Sequence, residues 1–272
     1  MAYTYVLDDP PRVRRNITLY DDGQAWYWAT LPGARRGDEA GTYAFSVDAA
    51  TLALGRGLAQ ALVSLSVSPA TPVFNVIAAA VTTYAGGAER THQLGFTAAQ
   101  NLPAPLVRAH ELGESLASPA ERSPLAVARM ACKPGALTIR ADDRATVRFA
   151  FTNSGTLPVT FLLELQSFRV EAEINGEWQE CWRHDTAGHL GLVGPRGDLV
   201  DGLILPATLA PGASATAVFL QALQPRMHGR LSLRGQVEGT ISLLRRDEAP
   251  PDFPQEPFRL VSAPETLTIG DD

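Results

Sequence analysis

The sequence predicts a fold in two parts, an α+β N-terminal domain followed by an all-β sandwich. Residues 1–120 read as a small antiparallel sheet with two helices, and residues 121–272 as short strands alone. Helical patterns are confined to the first part, and alternating strands recur about every ten residues in the second. Between them, Ser118–Pro124 (SPAERSP) sets two prolines among small polar residues, which is typical of a linker.

The first part opens with a hairpin signal, in which Ile17–Tyr20 and Ala25–Trp28 flank Asp-Asp-Gly. Asp-Gly supplies the positive φ angles of a tight primed turn. A third strand fits Gly41–Val47, and Asp48 then caps a helix that runs to about Val63. The remaining predicted elements of this part are strands at Val73–Tyr84 and Thr91–Thr97 and a helix at Pro105–Leu116.

After Pro124 no long helical pattern interrupts the strands, which Gly, Pro and Asn separate. That spacing favours an antiparallel β-sandwich. The predicted strands are Leu137–Ile139, Ala145–Phe151, Val159–Leu165, Phe168–Ile174, Ala215–Leu220, Leu231–Leu244 and Phe258–Ile269.

Composition excludes several classes of partner. The 272 residues carry a net charge of −6, which argues against nucleic acid as a partner. The basic cluster Arg12, Arg14 and Arg15 reads as a solvated arm, because Asp8 and Asp9 lie beside it. No apolar run approaches the roughly 20 residues that span a bilayer, and no secretory signal opens the chain. We therefore expect a cytoplasmic protein with no membrane partner and two reduced thiols.

The second part resembles a bacterial immunoglobulin-like sandwich, and in that loose sense the intracellular proteinase inhibitor BsuPI. The residues that carry the resemblance are FTNSG followed by PVTF (Phe151–Phe161), the Asn-Gly hairpin with its Trp (Val170–Trp178), and LAPGAS (Leu209–Ser214). The first part resembles small bacterial domains of unknown function that open on Ile, Leu, Tyr, Asp and Gly, here Ile17–Gly23. Neither resemblance implies an enzyme or a cofactor.

One stretch gathers reactive side chains, Cys181–Gly191 (CWRHDTAGHLG). Cys181, His184 and His189 are residue types that bind zinc, and Cys132 is a further candidate ligand. Cys181 with His184 or His189, oriented by Asp185, is a candidate nucleophile and base. The competing interpretation is a polar loop with surface histidines, since the segment has neither CxxC nor a helical HxxxH.

The hairpin before this stretch predicts which side chains share a face. Asn175-Gly176 favours a two-residue type I′ turn, which pairs Val170 with Cys181 and Arg169 with Trp182. Alternation then puts Cys181 in the core with Val170, Ala172 and Ile174, and puts Trp178 and Trp182 together on the polar face. A turn longer by one residue would exchange the faces and bury both Trp side chains.

These observations predict a non-enzymatic protein-binding or scaffold protein that uses loops and exposed aromatic side chains. The resemblance to BsuPI implies a more specific version of this function, inhibition of a cytoplasmic protease by a projecting loop. The expected partner contacts are Trp178, Trp182, Arg183, His184 and His189, with the loop from His184 to Val200 as the recognition element. The alternatives are a metal-dependent or thiol enzyme that uses Cys181, His184 and His189, and a subunit of a larger secretion or phage-like assembly.

Overall fold

A computed structural model of the chain describes residues 2–9, 13–30, 38–65, 78–85, 88–95, 103–117, 122–135, 138–140, 145–184, 190–193, 204–223, 229–244, 246, 254 and 256–270. The described residues fall into two compact units, chiefly Met1–Ala29 with Thr42–Pro124, and Leu125–Asp272. The described part of the chain is mostly β, its two α-helices lie in the N-terminal part, and its sheets are largely antiparallel with a sandwich-like architecture, as the sequence predicts.

The first unit consists of one antiparallel sheet and two helices. Its strands follow the order β4-β3-β2-β1-β5-β6. The elements are β1 (Ala2–Asp9), β2 (Val13–Tyr20), β3 (Gln24–Ala29), β4 (Glu39–Ser46), α1 (Ala49–Val63), β5 (Ala78–Ala85), β6 (Ala88–Gly95) and α2 (Ala104–Ala117).

One prediction for this unit is wrong. The N-terminal segment is a strand and not an arm, because Ala2–Asp9 pairs with β2 along its whole length, and β2 itself contains Arg14 and Arg15. The predicted linker, Ser118–Pro124, ends where the two units divide, at Pro124 and Leu125, and its last two residues belong to a strand that begins at Ser123. Arg12, residues 118–121 and the first residues of the strand predicted at 73–84 lie outside the described residues.

The first hairpin forms where predicted but with a different turn. Three residues, Asp21–Gly23, separate β2 from β3, and among them Gly23 alone has a positive φ, 81°. The Gly23 N–H donates to the Tyr20 carbonyl at 3.1 Å. This is a type I turn closed by a left-handed glycine, the usual solution for a three-residue loop.

Helix α1 begins and ends as predicted. Asp48 is its N-cap, and its Oδ1 accepts a hydrogen bond from the Thr51 N–H at 2.7 Å. Gly55, which weakens an isolated helix, is buried here: an added Cβ would lie 2.7 Å from Cδ2 of Leu19. The glycine therefore lets α1 approach the sheet closely.

The Asp48 cap predicts a pH-dependent contribution to stability. Hydrogen bonds from the backbone N–H and the side-chain hydroxyl of Thr51 hold the pKa of Asp48 below its ordinary value of 3.8. Because the folded pKa is depressed, the stabilisation is present above the unfolded pKa and is lost as the pH falls through the folded one. Asp48→Asn keeps a capping oxygen but does not titrate there. We expect the melting temperature of the parent to fall slightly more than that of Asp48→Asn between about pH 6 and about pH 3, because the cap is exposed and its contribution is small. Equal losses in thermal unfolding would contradict this role.

The second unit contains two sheets. One has the strand order β13-β15-β9-β7, and the other β12-β11-β16-β10-β14, with β17 and β18 also paired to β16 and β8 parallel to β18. The elements are β7 (Ser123–Pro134), β8 (Thr138–Arg140), β9 (Ala145–Asn153), β10 (Val159–Glu164), a 3₁₀ turn (Leu165–Ser167), β11 (Arg169–Ile174), β12 (Glu177–Arg183), β13 (Leu190–Val193), β14 (Ile204–Leu209), β15 (Ser214–Leu223), β16 (Gly229–Ile241), β17 (Glu256–Val261) and β18 (Glu265–Gly270).

Phenylalanine side chains fill the core between these sheets. The Phe168 ring centroid lies 4.9 Å from that of Phe149 and 4.9 Å from that of Phe219, which come from β9 and β15 of the facing sheet. All three are buried. Such edge and tilted ring contacts add to the burial of apolar area. This packing holds the β11–β12 hairpin against a rigid base.

Candidate functional site

The candidate site is the hairpin of β11 and β12, and its turn forms as predicted. Asn175 and Gly176 have φ angles of 55° and 82°. Both positive values belong to a two-residue type I′ turn, for which Asn-Gly is the preferred pair. The register next to the turn is also confirmed, with Glu173 opposite Trp178 and Glu171 opposite Glu180.

Beyond Glu180 the predicted register is wrong, because a β-bulge inserts one residue. Cys181 is the extra residue, so Val170 faces Trp182 and Arg169 faces Arg183. An extra residue reverses the sides to which all later side chains point. Trp178 and Trp182 therefore lie on opposite faces of the sheet, which neither predicted arrangement contained.

The bulge directs Trp182 and His184 toward the core. The Trp182 ring centroid lies 5.0 Å from that of Phe219, and the His184 ring centroid lies 5.2 Å from it. His184 is only 7% exposed, and its backbone N–H donates to the Phe168 carbonyl at 2.9 Å. The expectation of a surface histidine at 184 is therefore wrong, since β-pairing continues past Arg183. Trp182 and His184 support the hairpin from beneath.

Cys181 does not lie in the core, contrary to the prediction. The residue is exposed, while its Sγ–H donates to the Val170 carbonyl at 3.2 Å. Burial of the sulfur beside β11 raises the pKa of the Cys181 thiol to about 11, and the Glu171 and Glu180 carboxylates add to the shift. Cys132 is buried, and burial raises the pKa of its thiol as well. Neither thiol has the depressed pKa of an activated nucleophile.

The raised pKa predicts that the Cys181 thiol reacts slowly with electrophiles. At about pH 8 the thiolate fraction of Cys181 is roughly 100-fold below that of an ordinary cysteine, and greater intrinsic nucleophilicity offsets part of this deficit. We expect iodoacetamide to alkylate Cys181 about tenfold more slowly than it alkylates glutathione, with a rate that rises toward pH 11. Mass spectrometry of Cys132→Ser isolates the reaction at 181. A rate that levels off below about pH 8 would contradict the assignment.

The alternative of a metal site finds no ligand cluster among the residues that the structure describes. Within the part of the chain that the structure describes, no three His, Cys, Asp or Glu side chains are grouped to hold a metal ion. His189 and most of the loop at 185–200 lie outside the described residues, so the predicted role of His189 stays a prediction. Leu190–Val193 of that loop form strand β13.

The outward face of the hairpin carries Trp178 within a network of ion pairs. The Arg234 guanidinium lies 4.2 Å from the centroid of the Trp178 ring, and its Nε lies 2.7 Å from Oε2 of Glu171. Glu180 pairs with Arg183 at 2.6 Å. Stacking on the guanidinium fixes the Trp178 ring while leaving it half-buried at the sheet edge. Sequence reasoning missed Arg234, because it reaches this face from the distant strand β16.

The same face continues onto β16 and β17, where two arginines share one carboxylate. Arg169 and Arg259 lie 2.9 Å and 2.7 Å from Oε1 of Glu238. These ion pairs are partly exposed, so each contributes less than about 1 kcal/mol to stability. Their effect is to hold the polar side chains of the face in defined positions.

β12 is the last strand of its sheet. In a two-residue hairpin the pair next to the turn, Ile174 and Glu177, exchanges backbone hydrogen bonds, and the next pair does not. The N–H and C=O groups of Trp178 and Glu180 therefore point away from β11. Five of the seven residues of β12 are exposed, so this edge is open to solvent over most of its length.

No described helix is long and apolar enough to cross a lipid bilayer. The described residues define the class of fold, which is mostly β with two helices in the N-terminal part and a sandwich-like arrangement of antiparallel sheets.

Comparison with known proteins assigns no family. No family model matches the chain, and no curated protein is similar to it. Among solved structures, a protein from Bordetella pertussis described as ApaA is 14% identical, with a TM-score of 0.30 over 54% of this chain and 97% of that one. The collagen-binding domain of a Staphylococcus aureus adhesin is 8% identical, with a TM-score of 0.18 over 49% of this chain and 95% of that one. Both are distant structural matches.

Proposed function

We propose that this chain is a non-enzymatic protein-binding or scaffold protein whose second unit is an immunoglobulin-like sandwich. The observation that carries the proposal is Trp178, a half-buried aromatic side chain that Arg234 holds at 4.2 Å on the open edge of a sheet. Trp is the residue most enriched among binding hot spots, and a ring that is already ordered loses little entropy when a partner covers it.

The proposed partner contacts are fewer than the sequence predicts. Trp178 and Arg183 lie on the outward face and are the contacts we retain. Trp182 and His184 act through packing on Phe219, and His189 remains a proposal from the sequence alone. The proposed partner is a protein of the cytoplasm. The more specific version of this proposal is that the partner is a protease. The net charge of −6 speaks against nucleic acid, and the proposal needs neither a cofactor nor a membrane.

Photo-cross-linking tests the proposal. Benzoylphenylalanine at Glu173, directly opposite Trp178, is expected to cross-link a defined partner in cells, which mass spectrometry identifies. The same group at the exposed Gln60 of α1 is the control and is expected to capture a different set of proteins or none.

Affinity for that partner then tests Trp178 itself. We expect Trp178→Ala to weaken binding by at least about tenfold, since hot-spot truncations typically cost about 2 kcal/mol or more. Leu157→Ala removes another large exposed apolar side chain, 41% exposed and outside the hairpin, and is expected to change the affinity by less than about threefold. Equal effects of the two substitutions, with both variants folded by circular dichroism, would refute the proposed surface.

A further inference from the structure

We infer that the partner binds as an added β-strand: an extended segment with a basic side chain pairs with the free edge of β12 over Glu177–Glu180. This inference rests on the proposed function and names the kind of partner that the same surface fits.

The free edge offers a short but regular row of backbone groups. The N–H and C=O groups of Trp178 and Glu180 point away from β11, which gives two donors and two acceptors two residues apart. An extended chain is the partner that matches this spacing, as in other cases of strand addition. The outward Trp178 ring then lies beside the side chains of the added strand, where it adds contact area.

The bulge limits where the added strand pairs. At Cys181 the regular alternation of β12 is broken, so the uninterrupted edge ends at Glu180. Bulges and edge prolines both protect sheets against unwanted pairing. The opposite edge of the same sheet carries such a proline, Pro206 of β14, whereas Glu177–Glu180 contain none. The β14 edge of the sheet is thus protected, and so is the β12 edge beyond the bulge. The β12 edge is open next to the Asn-Gly turn.

Two carboxylates without a cationic partner indicate that the added strand carries a basic side chain. Among the described residues, Glu171 is neutralised by Arg234 and Glu180 by Arg183, but no cationic group pairs with Glu173 or Glu177. Both of these acids are exposed: Glu173 lies opposite Trp178 on the outward face, and Glu177 precedes Trp178 on the edge strand and points to the other face. A Lys or Arg of the added strand would pair with Glu177 on the edge strand, and the Glu173 carboxylate adds to the negative charge that attracts it. Such rim pairs favour specificity and the association rate more than affinity.

A second copy of this chain fits the edge less well. Two β12 strands paired antiparallel through Trp178 and Glu180 would place Glu177 of one copy opposite Cys181 of the other. Arg183, the cation of β12, is already paired with Glu180 of its own copy, so the charges favour a basic segment of another protein.

The test is selection from a displayed library of random dodecapeptides on the full-length protein alone, after which the affinity of each selected peptide is measured for the parent and for Glu180→Pro. Proline at 180 removes an N–H that points away from β11, so it blocks an added strand and leaves the hairpin paired. Glu180→Ala is the matched control, because it loses the same carboxylate but keeps the N–H. We expect the selected peptides to alternate β-forming residues with at least one Lys or Arg. Their affinity for Glu180→Ala should be within about threefold of the parent value, and their affinity for Glu180→Pro at least about tenfold weaker.

Hydrogen exchange reads the pairing directly. A selected peptide should slow exchange of the Trp178 and Glu180 amide protons and leave other edge amides unchanged. Enrichment of no peptide, equal binding to Glu180→Pro, or protection elsewhere would overturn strand addition. So would a dimer of the parent, seen by sedimentation, that Glu180→Pro abolishes. If the cross-linked partner depends on Trp178 but tolerates Glu180→Pro, strand addition fails while the proposed function stands. If neither substitution affects the partner, both fail.

Discussion

Replacement of Asn153 by alanine is expected to lower the free energy of unfolding of the second unit by about 3 kcal/mol. Asn153 ends strand β9 and is 1% exposed. Its Nδ2 donates to the Leu157 carbonyl at 2.8 Å and to the Leu209 carbonyl at 2.9 Å, and its Oδ1 accepts from the Gly155 N–H at 2.8 Å. One side chain thus ties the end of β9 to the following loop and to β14.

The expected cost is large because alanine removes the partner and leaves the backbone groups in place. Each buried polar group that loses its hydrogen bond costs about 1–3 kcal/mol, and a cavity adds to that. Thr152→Ala is the control: its Oγ1 makes an exposed hydrogen bond with Ser214 at 2.8 Å, so the loss should stay below about 1 kcal/mol.

Native-state hydrogen exchange at the buried Phe149 and Phe161 amides reports unfolding of this unit by itself. Similar exchange in Asn153→Ala and Thr152→Ala would show that the Asn153 bonds are replaced by others, for example to water. A selective increase in Asn153→Ala would assign the Asn153 side chain as the tie between the two sheets' ends.

Local chemistry explains which parts of the fold were predictable. The Asn175-Gly176 turn and the Asp48 cap depend on the conformational and hydrogen-bonding preferences of the residues themselves, and both form as predicted. The alternation in β11 is likewise confirmed, with Val170 and Ala172 buried and Ile174 packed against the core. In each case the deciding interactions lie within a few residues along the chain.

The bulge at Cys181 was decided by distant residues. Strict alternation would bury Cys181, but the larger Trp182 packs on Phe219 of β15 instead, and burial of a Trp outweighs burial of a thiol. The ion pair between Glu180 and Arg183, at 2.6 Å, follows from the bulge. In a regular strand two side chains three residues apart would point to opposite faces, and the extra residue brings both to the outward face.

The outward face could not be predicted as a unit because it is assembled across strands. Trp178 lies on β12, whereas Arg234 that stacks on it lies on β16. β16 pairs with β11, β10, β17 and β18 along different parts of its length, and no local pattern encodes four partners. The sequence therefore identified the Trp and the turn of the site but not the network that orders them.

Gly239→Ala is expected to destabilise the second unit by at least about 3 kcal/mol, because the added methyl group would meet backbone and not a movable side chain. Gly239 lies in β16 between Leu163 of β10 and Phe258 of β17. A Cβ at this position would overlap the Leu162 carbonyl oxygen and lie 3.1 Å from Cε1 of Phe258. Relief requires β10 and β16 to separate where they exchange hydrogen bonds.

Gly270→Ala is the matched control for this effect. It lies in β18 of the same sheet, where an added Cβ has no atom within 4 Å and φ is not positive, so we expect a change within about 0.5 kcal/mol. Urea unfolding of the three proteins, followed by hydrogen exchange at the buried Phe161 and Leu260 amides, compares the two substitutions directly. A small loss in Gly239→Ala would mean that β16 shifts against β10 at little cost. The rigid base beneath the β11–β12 hairpin would then have to come from the phenylalanine core alone, since β16 is the strand that carries both β11 and Arg234.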